Sequence, residues 1–166
     1  IAINVPDTGT LQDIRVRLRL EPGTGSGQAR VMLISPDGTQ ILLHQTDTRP
    51  TYGSGPTDCS RCNMVEFDDA ATTPIGAGTS PFVGPFRPEQ SLWSLNGHST
   101  AGTWIVRFEG FFGSRLYCIA LDMLREPDMA QAPTPSSTVA LMADGIVTDR
   151  AHTPGKGAGL MAPCRL

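Results

Sequence analysis

Gln12-Asp13-Ile14-Arg15-Val16-Arg17-Leu18-Arg19-Leu20 sets apolar side chains at positions 14, 16, 18 and 20 against arginines at 15, 17 and 19. A period of two sends the two sets to opposite sides of an extended chain, so the segment predicts a β-strand with one buried face. Three like charges on its other side read as a solvated surface rather than as a patch for an anionic ligand.

After a Gly/Ser/Thr/Pro turn at 21–28, residues 30–35 read as a short apolar strand, ended by Pro36-Asp37-Gly38. Pro36 presets φ for a turn and Gly38 tolerates a positive φ, so the chain should reverse into a strand at 40–44 that pairs antiparallel with the previous one. Residues 45–63 form a polar loop carrying two cysteines, and 64–67 a brief strand. In the irregular stretch 69–90, Pro74, Pro81, Pro85 and Pro88 exclude pairing as a central strand. Gly102-Thr103 opens a strand with Trp104, Val106 and Phe108 on one side, making Trp104 and Phe108 the expected core anchors. A further strand follows at 115–123. With 18 glycines, 14 prolines and 17% charged residues, these short segments predict an all-β sandwich.

The 166 residues suit a single domain at 1–124 followed by a Pro/Ala/Gly-rich tail at 125–166. Within that tail, 138–147 holds enough apolar side chains to dock as an added strand. A net charge of -3 offers no basic footprint for nucleic acid. No apolar stretch approaches the roughly 20 residues that span a bilayer. A start at Ile1 without methionine fits a processed secreted protein or an excised fragment. Cys59, Cys62, Cys118 and Cys164 allow two disulfides in three connectivities, which implies an oxidising, extracellular setting. The rival reading of Cys59-x-x-Cys62 as a zinc site needs two more ligands, which no second Cys-x-x-Cys or His-x3-His supplies.

Six short signatures follow in order: Ser35-Pro36-Asp37-Gly38-Thr39, Glu66-Phe67-Asp68-Asp69-Ala70, Pro81-Phe82-Val83-Gly84, Phe86-Arg87-Pro88-Glu89, Leu95-Asn96-Gly97 and Gly102-Thr103-Trp104. Together they resemble the P domain (P/Homo B domain) that follows the catalytic domain of subtilisin-like proprotein convertases and is attached to many bacterial secreted proteins. The resemblance covers about residues 5–123 and implies a jelly-roll β-sandwich of galactose-binding-like form that catalyses nothing by itself. One departure is the segment 21–29, which ends Gly27-Gln28-Ala29 where relatives commonly have Gly-Asp-Leu.

Glu66, Asp68 and Asp69, joined by Glu89, form an acidic group whose hard oxygens suit Ca²⁺, which some relatives bind. The plainer reading has Asp68 and Asp69 capping backbone amides where strand gives way to loop. Gly78-Thr79-Ser80 is similar to the residues around the subtilisin nucleophile, but Ser80 precedes Pro81 in a proline-rich loop, the wrong setting for a nucleophile. His44, His98 and His152 show no metal-binding spacing. Trp93 and Trp104 both read as strand residues, which leaves little aromatic surface for a sugar, and Phe82 and Phe86 as pins for their loop. The expected function is therefore a non-catalytic extracellular module that stabilises a secreted assembly through protein contacts. The alternatives are a self-assembling subunit of a fibre or coat, whose tail completes a neighbour's sheet, and a calcium-dependent ligand-binding module.

Overall fold

The alternating arginine segment is the centre of β2 (Thr10–Glu21), the axis of one sheet in a computed structural model that describes residues 1–23, 27–56, 59–126 and 138–142. β2 runs antiparallel to β8 (Arg115–Glu126) over its whole length, from Thr10 opposite Glu126 to Glu21 opposite Arg115. On its other side it pairs antiparallel with β5 (Val65–Phe67), beyond which β6 (Gly84–Phe86) lies parallel to β5. β9 (Thr138–Met142) adds to the far side of β8, giving a five-stranded sheet in the order β6-β5-β2-β8-β9.

The second sheet has the order β1-β7-β3-β4, from β1 (Ala2–Val5), β7 (Gly102–Glu109), β3 (Ala29–Ile34) and β4 (Gln40–Thr46), with every neighbouring pair antiparallel. The hairpin expected across Pro36-Asp37-Gly38 is β3–β4, and Gly38 holds φ +90°, the left-handed region that favours glycine. Pro85 falls in β6, an outermost strand where a missing amide leaves no central hydrogen bond unmade.

Ile14, Val16 and Leu18 of β2 and Ile119 and Leu121 of β8 share one core cluster with Val31 and Leu33 of β3, Leu43 of β4, and Trp104 and Val106 of β7. Both sheets thus bury apolar residues in one core. Trp104 is fully buried, and its indole Nε1 donates to the Thr100 carbonyl at 2.9 Å, which satisfies its polar edge. Phe108 differs from expectation. It is only partly buried and packs on the edge of the core, its ring 5.9 Å from that of Phe111, because β7 is near its end there.

β8 ends at Glu126, within the expected tail at 125–166. Of the added strand expected at 138–147, the first five residues are β9. It lies on the chain's own β8, with Thr138 opposite Asp122 and Met142 opposite Cys118. Residues 143–147 lie outside the described residues.

Candidate functional site

The acidic group foreseen as a calcium site divides between two places. Glu66 and Asp68 belong to the outer face of the five-stranded sheet, where they meet the β2 arginines. Register explains this: Glu66 stands directly opposite Arg17, and Asp122 of β8 directly opposite Arg15. Arg17 forks onto Asp122 with two hydrogen bonds of 2.7 and 2.8 Å and lies 3.9 Å from Glu66. Arg61 approaches Glu66 to 2.6 Å, and Arg15 reaches Asp68 at 3.1 Å and Asp13 at 3.6 Å.

The solvated arginine face expected from the alternation is therefore corrected to a ladder of ion pairs across three strands. Single-strand periodicity shows which side a residue takes but not what the neighbouring strands bring opposite it. Arg19 departs furthest from expectation. It is buried, and its guanidinium donates to the carbonyls of Tyr52, Gly53 and Gly55 and to Glu21.

Asp69 and Glu89 line a shallow cavity of about 200 Å³ together with Arg87, Pro88, Ser91 and Trp93. Asp69 is buried; its Oδ2 accepts from the Ser91 hydroxyl and the Trp93 amide, both at 2.7 Å, while its Oδ1 is shielded from solvent and has no hydrogen-bond partner. Glu89 accepts from the Gln45 amide at 2.6 Å, and Asp68 accepts from the Ala70 amide at 2.8 Å, as the capping reading foresaw. Among the described residues no group of three or more His, Cys, Asp or Glu is arranged to hold a metal ion.

Trp93 is not a strand residue. It sits in a 3-10 turn, Leu92–Leu95, whose two leucines are fully buried. Residues three apart share a face in such a turn, so anchoring Leu92 and Leu95 leaves the Trp93 indole outward, 54% exposed. The Leu-x-x-Leu spacing in an otherwise polar stretch was the available signal for this arrangement. Trp93, Arg87 and Ser91 are the members of the cavity that sequence reasoning missed.

Cys59 is bonded to Cys118, so the polar loop is tied to β8 and Cys59-x-x-Cys62 is not a zinc half-site. Cys62 is also disulfide-bonded, and Cys164 lies outside the described residues. Ser80 accepts a hydrogen bond from the Thr51 amide at 2.9 Å. His44 is buried, its Nδ1 2.8 Å from the Tyr52 hydroxyl and its ring edge-on to Phe82; burial pushes it below its ordinary value of 6.5 while Glu89 opposes that shift.

His98 Nδ1 lies 2.7 Å from Asp37, whose other oxygen accepts from the Ser35 hydroxyl at 2.5 Å. The Ser35 hydrogen bond, then the Thr39 amide, hold the Asp37 carboxyl at about 2. Here aspartate stands between serine and histidine, so the hydroxyl has no bond to the imidazole, and the trio staples the β3–β4 turn rather than forming a nucleophile and its relay. His152 lies outside the described residues. Phe82 stacks on Tyr52 and meets Phe86 edge-on, pinning the loop as expected. No family model, curated protein or solved structure matches the chain.

Proposed function

We propose that the chain is a non-catalytic, extracellular β-sandwich module of jelly-roll, P-domain-like form that stabilises a secreted assembly through protein contacts. The observation that carries this reading is the outer face of the five-stranded sheet. Its arginines and carboxylates pair with one another, leaving a surface whose charged groups are engaged in structure. Such a face suits packing against another folded domain, where unpaired buried charge would be costly. The Cys59–Cys118 crosslink supports an oxidising compartment. The P-domain part of the reading rests on the order of the six signatures, of which the 35–39 turn, the 66–70 bend and the 102–104 strand opening lie at ends of paired strands.

A second reading, self-assembly into a fibre or coat, is favoured by one specific feature. β9 is joined to β8 through an eleven-residue segment, 127–137, and completes the sheet by backbone pairing, which the same segment of another copy would do equally well. Sedimentation velocity over a hundredfold concentration range separates the readings. The module reading expects a monomer throughout. Concentration-dependent growth that disappears when 127–166 are removed, with Cys62→Ser included to exclude stray thiol pairing, would replace it with the polymer.

A further inference from the structure

The geometry points to a second function: the cavity between Asp69, Arg87, Glu89 and Trp93 is a binding site for a neutral pyranose ring. Its volume of about 200 Å³ falls below the roughly 300–1,000 Å³ that enclose a drug-sized ligand, so it takes a single ring or one residue of a chain. Trp93 presents a half-exposed indole beside it, held in place from below because its own amide is bonded to the Asp69 carboxylate. An aromatic face in this position offers a flat apolar surface to the C–H side of a sugar, while polar groups around it fix orientation.

The charges in the wall select the ligand. Two carboxylates disfavour an anion, and Arg87, which forms no ion pair among the described residues, disfavours a cation. Adjacent hydroxyls satisfy both: each donates to a carboxylate oxygen through its proton and accepts from a guanidinium through its lone pairs. The Asp69 Oδ1 is a buried acceptor without a donor, a state that carries a desolvation penalty until a donor is brought to it. Asp69 lines the cavity, so its carboxylate is the wall group that a ligand hydroxyl meets. The carboxylate's other oxygen already holds the turn that carries Trp93, which couples ring stacking to hydroxyl recognition.

A ring of this size, at the efficiency typical of small ligands, binds at about millimolar affinity. The test titrates the whole chain with the methyl glycosides of glucose, galactose, mannose and N-acetylglucosamine, and separately with tetramethylammonium, following the two indole N–H resonances. The expected result is a saturable shift of the Trp93 signal by at least one glycoside, with Trp104, which is fully buried, unmoved. Trp93→Ala and Arg87→Ala should each weaken binding about tenfold, and Trp93→Phe should restore part of the loss. Both side chains are exposed, so the variants keep their fold, and an unchanged Trp104 resonance verifies it in each. No shift with any glycoside, equal binding by Trp93→Ala, or a response confined to tetramethylammonium would each overturn the assignment.

Discussion

At pH 7 the His44 ring sits uncharged between Tyr52 and Phe82, and protonating it would place a cation among aromatic rings inside the core. The folded chain holds this proton less readily than the unfolded one, whose histidine titrates near 6.5. Stability from this site is therefore fully present above that value and falls as pH drops below it. Tyr52 and Glu89 are the titratable groups coupled to the ring, and only Glu89 opposes the shift. We predict that acidification from pH 7 lowers the unfolding free energy by less than about 1.4 kcal/mol per pH unit from this group. His44→Gln should flatten that slope in urea titrations at stepped pH; an unchanged slope would exclude His44 as its source. No local pattern signals this burial, since His44 stands alone at the end of a predicted strand. Its partners, Tyr52 eight residues on and Phe82 much further along, lie in loops that no local pattern connects to it.

The elements show where a periodic reading succeeds and where it stops. The apolar positions of β2 were legible because burial on one face leaves a two-residue period, and all four are buried. The outward arginines were not legible as a ladder, because their partners come from β5 and β8, which are far away in the chain. Arg17→Met should destabilise by about 2 kcal/mol, since it strands Asp122 beside Glu66 on a half-buried face. Adding Asp122→Leu should recover part of that loss, and a double-mutant cycle in urea reads the coupling. A loss below about 0.5 kcal/mol would class the ladder with ordinary surface pairs. At the turn after β7, Gly110 holds φ +79°, and a Cβ there would run into the Gln28 carbonyl at the start of β3. Gly110→Ala should cost about 3 kcal/mol or more, whereas Gly38→Ala, with a positive φ but open space, should cost about 1 kcal/mol. Similar losses in thermal melts would mean that backbone conformation alone, not the close approach, sets the requirement.

Across the whole molecule, two sheets over one core were readable from turn spacing and composition, but strand order and the parallel β5–β6 pair were not, because they rest on pairings between segments as remote as β1 and β7. The cavity was equally hidden, since the Trp93 turn and Asp69 meet only once the sheets have formed. The Cys59–Cys118 bond closes a sequence separation of 59 residues, a loop for which chain-entropy arguments give about 4 kcal/mol of stabilisation, and removing it typically costs about 2–5 kcal/mol. Cys59→Ser with Cys118→Ser should shift the urea midpoint accordingly; a shift worth less than about 1 kcal/mol would show that the folded loop is held by its other contacts. The same bond changes what a protease can accomplish. β3 and β4 lie outside the bridged interval, whereas β5, the Trp93 turn and β7 lie within it. A single peptide cut anywhere from 60 to 117 therefore yields a nicked chain that still migrates as one piece until thiol is added.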